Sequence, residues 1–269
     1  MKNIKKTITI LLITFLLFGC FKKQDKEDKT TKDGLFYINE IKNYKVKEKN
    51  INNTIDNKEF EEYLDSIFIN SVTDSYLYMH SNIRDYKKLG ISKPEVKWGD
   101  LEYSDEADSL EYIEELEKLR KFDYNSLSYR QQFDYDLYEY SLLETIASAF
   151  YEKYDLLYSS GTDILSGLAV TLDEFKLYDE ESIQDYLILL KDVDKYLDDS
   201  LAYTKAQADN GLYLSNTSIE YNIDYIDGFV SKIDDNSLIV SFNNRLSNLN
   251  FIDSNTKQKY INESSKIVK

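Results

Sequence analysis

One cysteine, one histidine, one proline and one tryptophan stand in a chain of 269 residues, with only eight glycines. A single cysteine excludes an internal disulfide, and a single histidine excludes a metal site built from several histidines of this chain. So few turn formers favour long helices over turn-rich β architecture. Cationic residues are also scarce: 33 Lys and Arg face 49 Asp and Glu, a formal charge of −16. That leaves too little positive charge to displace the counterions of duplex nucleic acid, which excludes nucleic acid as a partner. Apolar and aromatic side chains are plentiful, at 42% hydrophobic and 14% aromatic residues, so the chain is no disordered polyelectrolyte. Its length suits one large domain or two small ones.

The N-terminus has a basic start at Lys2, Lys5 and Lys6, then an apolar run from Ile8 to Phe18 broken only by Thr9 and Thr14. Spanning a bilayer takes about 20 apolar residues, so this run has the length of an export segment and not of a membrane span. It ends in Leu17-Phe18-Gly19-Cys20, which resembles a bacterial lipobox: a small residue before the cut, and a thiol that accepts diacylglycerol. The expectation is a signal peptide over 1–19 and lipid attachment at Cys20. Each buried methylene contributes about 0.8 kcal/mol, so two or three acyl chains give stable anchoring at the membrane.

A solvated tether of mixed charge follows Cys20, and the lead-in runs to residue 56. From Cys20 to Asp56 nine lysines face seven acids, whereas from Asn57 onward 21 bases face 42 acids. Anionic lipid repels such a body, so the acyl chains and not a basic patch would attach it.

Leu35 to Val46 has no clean period and is an element of unknown type. From 57 to 269 the pattern predicts an all-α domain, a multi-helix array with long amphipathic helices. Helices are expected from Asn57 to about Val72, from Leu110 to Phe122, and from a capping box at Ser128 and Gln131 with a stripe of Phe133, Leu137, Tyr140, Ala147, Phe150 and Tyr154. Tyr76 to Leu89 is ambiguous. Gly90, Pro94 and Gly99 mark a loop carrying Trp98. A long helix begins at Asp179-Glu180-Glu181, carries Ile183, Leu187, Leu190, Leu197 and Leu201, and stops at Gly211. A second capping box at Thr217 and Glu220 opens a helix to Ile233, and two more helices cover Ser237 to Leu249 and Asp253 to Val268.

The chemistry available is sparse. There is no phosphate-binding loop and no nucleophile elbow, and Ser-His-Asp catalysis would depend on His80, for which a structural role is the simpler reading. Asp134 and Asp136 do not share a helical face; Asp198 with Asp199, and Asp234 with Asp235, read as solvated pairs. Tyrosine is abundant, at 24 residues, and Tyr124, Tyr129, Tyr135, Tyr138 and Tyr140 cluster. They either line a groove for peptide or glycan or, more simply, fill helix interfaces.

Three stretches carry a family likeness: Leu127-Ser128-Tyr129-Arg130-Gln131-Gln132-Phe133-Asp134-Tyr135-Asp136, then Asp185 through Tyr196, then Gln207-Ala208-Asp209-Asn210-Gly211-Leu212. In this order they resemble the N-terminal half of the domain of unknown function 885 family, predicted bacterial zinc metallopeptidases, over roughly Asn57 to the end. That resemblance implies a larger helical peptidase-like fold whose zinc is held by an H-E-x-x-H helix in the other half. This sequence has no H-E-x-x-H, so no catalytic or metal residue and no cofactor carries over.

The chain therefore reads as an extracytoplasmic lipoprotein equivalent to the non-catalytic half, inactive toward peptides alone. It would be a truncated product, a piece of a split enzyme partnered by a separate zinc-bearing half, or a free-standing module. A peptide- or glycan-binding module with a Tyr-lined groove is the alternative, and a structural envelope protein finds no repeat to support it. An uncovered apolar face is expected at the C-terminus, at Tyr260, Ile261, Ile267 and Val268.

Overall fold

The computed structural model describes residues 34–104, 109–159, 163–231 and 236–268. Leu17, Phe18, Gly19 and Cys20 lie outside the described residues, as do Asp234 and Asp235. Among the described residues ten α-helices and three short 3-10 turns account for the regular structure, with no strand. The chain is all-α. The described residues divide into two compact units, one formed by those from Gly34 to Asp74 together with those between Ser104 and Asp155, the other by Ser75–Tyr103 together with the described residues from Leu156 to Val268.

The first unit contains α1 (Gly34–Asn43), α2 (Lys58–Asp74), α4 (Leu110–Leu119) and α5 (Tyr129–Ala149). The element of unknown type is thus α1; its Tyr37 is buried, stacked on Phe150 of the segment after α5. The capping box that starts α5 is present: Ser128 Oγ accepts from the Gln131 amide at 3.3 Å, and Gln131 Oε1 accepts from the Ser128 amide at 3.2 Å. The expected stripe on α5 needs correction. Phe133 is 54% exposed and Tyr154, beyond the helix end, equally so, whereas Tyr135, Tyr138, Leu142 and Ile146 enter the core with Phe60 and Leu64 of α2.

The reason lies in what covers the other side of α5. An extended strap over residues 44–57 runs along it, and the polar residues of α5 bond to that strap. The Asn50 amide donates to Gln132 Oε1 at 2.9 Å, the Asn57 amide to Gln131 Oε1 at 2.8 Å, and the Tyr129 amide to the Asn53 carbonyl at 2.7 Å. Gln131, Gln132, Asp136 and Glu139 are consequently buried. Hydrogen-bonded partners remove the cost that would otherwise keep such residues in water.

The second unit contains α3 (Tyr76–Asn82), α6 (Ile164–Glu174), α7 (Glu180–Asp209), α8 (Asn216–Val230), α9 (Ser237–Ser247) and α10 (Ser254–Val268). The ambiguous stretch from Tyr76 is α3 followed by a 3-10 turn at Tyr86–Leu89. Helix α7 runs 30 residues and starts at a capping box in which Asp179 and Ser182 exchange bonds. It ends at Gly211, whose φ of +83° lets the Gly211 amide reach the Ala208 carbonyl at 3.0 Å and the Leu212 amide the Gln207 carbonyl at 2.9 Å. These are the two bonds of a Schellman stop, and a Cβ would strain that backbone. Leu201, placed on the expected apolar stripe of α7, is 59% exposed.

Two further corrections concern α8 and α10. The cap of α8 is Ser215, whose Oγ accepts from the Ser218 amide at 3.1 Å, so Thr217 lies inside the first turn. The C-terminal helix α10 is not the uncovered face. Tyr260 is 3% exposed and donates to Glu180 Oε1 at 2.8 Å, while Ile261, Ile267 and Val268 are half-buried. Phe242 of α9 stacks on Tyr186 of α7 with centroids 4.5 Å apart. Nearby, the Arg245 guanidinium donates to the Leu172 and Phe175 carbonyls, satisfying the end of α6. Among the described residues no helix is long and apolar enough to cross a membrane.

Candidate functional site

The only histidine sits in a buried chain of hydrogen bonds within the second unit. His80, on the last turn of α3, is 7% exposed. Its Nε2 lies 2.8 Å from the Lys176 carbonyl. A carbonyl only accepts, so Nε2 carries the proton. Its Nδ1 lies 3.3 Å from the Tyr76 hydroxyl, which donates to Asp185 Oδ2 at 2.6 Å. Asp185 Oδ1 accepts from Lys93 Nζ at 2.7 Å, and Lys93 also reaches Glu181 Oε1 at 3.0 Å. The His80 ring stacks on Phe175, with centroids 4.0 Å apart and planes within 5°.

Local sequence explains each placement. Tyr76 and His80 are four apart on α3, and Glu181 and Asp185 are four apart on α7, so each pair shares a helical face. Lys93 comes from the loop before Pro94. Electrostatics follow the geometry. Hydrogen bonds from Lys87 and Lys93 hold the Glu181 carboxyl down at about 2. Burial, then the bond to Asp185, pushes the Tyr76 phenol up. Lys93 is raised, its bonds to Asp185 and Glu181 together outweighing the opposing effect of burial.

Burial pushes the His80 imidazole down, against the opposing pull of the Lys176 carbonyl and Asp185. A histidine depressed in the fold contributes stability that is present above the ordinary value of about 6.5 and lost as pH falls through its folded value. His80→Gln is therefore expected to lose less unfolding free energy than the parent between pH 7 and pH 5. Urea titrations at the two pH values check this, and equal losses would mean that His80 ionises as readily in the fold as in water.

A second charged network lies in the first unit, on the strap side of α5. Asp136 Oδ2 accepts from Lys49 and from the Tyr124 hydroxyl, and Glu139 accepts from Lys47 at 2.9 Å and from Arg120 Nε at 2.8 Å. Lys47 Nζ stands 4.4 Å from the centre of the Tyr135 ring and 4.9 Å from that of Tyr124. Asp134 turns the other way, toward Arg130 at 3.0 Å, so the two aspartates do not share a face. Burial raises Asp134 to about 6. Of the clustered tyrosines, Tyr135 and Tyr138 fill the core, Tyr44 packs on Tyr140, and Tyr129 is exposed. Tyr135 and Tyr138 therefore serve the interior and line no groove. Asp199 pairs with Lys195 at 2.6 Å, and Asp198 is exposed.

Neither network offers an obvious reaction centre. His80 is buried with its Nε2 committed to the Lys176 carbonyl, and hollows of about 620 and 590 Å³ lie instead on α9, beside Ser237 and Asn244, and on α10, beside Asn255 and Lys266. Reading the sequence alone misses Tyr76, Lys93, Glu181 and Asp185 as partners of His80. The available signal was the pair of four-residue spacings; nothing local shows that the two helices meet.

Capped amphipathic helices enclosing buried charge define an all-α protein of the helical-array class. More particularly, the chain belongs to the family described as bacterial protein of unknown function (DUF885), whose model matches residues 86–268, more than half the chain. That span opens within the range from Asn57 onward over which the resemblance is drawn. No curated protein and no solved structure matches the chain.

The zinc that the resemblance implies does not fit the residues described. The one histidine of the chain is buried with its Nε2 held by the Lys176 carbonyl, and among the described residues no three His, Cys, Asp or Glu side chains gather to hold a metal ion.

Proposed function

We propose that the chain is a lipid-anchored extracytoplasmic protein of the bacterial envelope, a helical module equivalent to the non-catalytic half of a zinc metallopeptidase, without peptide hydrolysis of its own. The observation that carries the anchoring is the place of the only cysteine: Cys20 directly follows Leu17-Phe18-Gly19 at the end of an eleven-residue apolar run from Ile8 to Phe18. The inactive reading rests on the single histidine, His80, buried with its Nε2 committed to the Lys176 carbonyl, and on the lack of an H-E-x-x-H in the sequence. A catalytic zinc site needs three protein ligands and an open position, which that histidine cannot begin to supply. A separate zinc-bearing half is the partner this reading calls for, and peptide is its substrate class.

Cys20→Ser in the full chain is the test. The parent is expected in the detergent phase with a diacylglyceryl mass on Cys20, and the variant without that mass and unanchored. Unmodified Cys20 in protein recovered from membranes would overturn the anchoring. Elemental analysis of the same material is expected to find well under one zinc per chain; stoichiometric, chelator-resistant zinc would overturn the inactive reading.

A further inference from the structure

Helix α8 leaves an apolar line exposed to water. Ile219, Ile223, Ile226 and Val230 recur at spacings of four, three and four, so they form one line along the helix, and they are between 42% and 56% exposed. The two residues α8 buries fully are polar, Ser218 and Asn222, whose amide donates to the Tyr158 carbonyl at 2.8 Å and the Ser218 carbonyl at 2.7 Å, with Tyr225 and Phe229 half-buried beside them. Monomers rarely leave contiguous apolar patches in water without a use for them.

The charge beside the line selects what can cover it. Glu220, Asp224 and Asp227 are exposed along its outer edge, and α8 contains no lysine or arginine. No ion pair among the described residues engages any of the three. In heptad terms the apolar line occupies the seam positions a and d, Glu220 and Asp227 both occupy e, and the g positions are Asn222 and Phe229, buried and half-buried. An antiparallel copy of α8 would set e against e, acid against acid. A parallel copy would need the g flank, which the second unit already covers. Both routes to self-pairing are closed, and an anionic bilayer is repelled by the same acids.

We propose that α8 docks an amphipathic helix of another protein, one whose apolar seam is flanked by lysine or arginine. The inference stands on α8 alone and does not depend on lipid anchoring or on the family's chemistry. Docking would bury the Ile219–Val230 line and pair the partner's cations with Glu220 and Asp227.

The probe is a synthetic heptad peptide with leucine at a and d and lysine at e and g, compared with its glutamate-flanked counterpart, titrated into the full chain at physiological salt. The lysine peptide is expected to bind at least tenfold more tightly than the glutamate peptide. Ile223→Asp, at an exposed site, should weaken it about tenfold. The double variant Glu220→Lys with Asp227→Lys should reverse the preference. A preference that survives this reversal would place binding elsewhere on the acidic body and overturn the proposal. So would concentration-dependent dimerisation abolished by Ile223→Asp, which would make a second copy the occupant, or binding to phosphatidylcholine vesicles abolished by the same change, which would make it a lipid surface.

Discussion

Replacing Asp185 with alanine is expected to destabilise the fold by about 3 kcal/mol, far more than a typical single substitution. The carboxylate is 5% exposed as a residue and receives both the Tyr76 hydroxyl and Lys93 Nζ. Its removal leaves a cation that is itself only 24% exposed with Glu181 as its remaining acid, and a buried phenol facing a histidine. A part-buried cation that loses the better-buried of its two acids, and a buried phenol that loses its charged acceptor, are costly defects in a core. Tyr76→Phe, which removes one hydrogen bond but leaves Asp185 with Lys93, should cost about 1.5–3 kcal/mol and always less than Asp185→Ala. Urea unfolding followed by circular dichroism separates the two. A loss below about 1 kcal/mol for Asp185→Ala would mean that the carboxylate is solvated and holds nothing together.

Phe60→Ala is expected to cost about 3–5 kcal/mol, while Phe133→Ala should stay within about 0.5 kcal/mol of the parent. Phe60 is fully buried and packs edge-on against Phe122 at 5.1 Å, with Tyr63 at 6.0 Å and Tyr135 at 6.3 Å between centroids. Its loss leaves a cavity among rigid aromatic rings that cannot collapse to fill it, and forfeits pair contacts worth about 0.5–1.5 kcal/mol each. Phe133 lies on the expected apolar stripe of α5 yet is 54% exposed. Denaturant midpoints of the two variants decide between the sequence stripe and the packed core. A large loss at Phe133 with a small one at Phe60 would turn α5 over.

Much of the secondary structure is legible in the sequence, because its causes are local. Ser128 with Gln131, and Asp179 opening α7, satisfy amides within three residues of themselves. Gly211 stops α7 because it takes a positive φ at no steric cost. Where a local signal admits two readings, the sequence misplaces the detail: Ser215 and Thr217 are both competent caps two residues apart, and only the folded backbone selects Ser215.

The candidate site was far less legible. His80 and Asp185 are separated by more than a hundred residues, and the spacing of each within its own helix is silent about the other. The Lys49–Asp136 pair, 87 residues apart, is equally invisible in the chain. A period of 3.6 residues says which side chains share a face, but not which face receives a neighbour. On α5 a polar strap covers the charged side and leaves Phe133 in water; on α8 the covered side is Ser218 and Asn222, and the isoleucines are left outside. The all-α class, the starts at Ser128 and Asp179, the stop at Gly211, and the lack of a multi-histidine centre follow from composition and from interactions spanning one turn. Which faces are buried, and which charges become partners inside, depends on contacts between segments distant in sequence, and those exist only once the helices have packed.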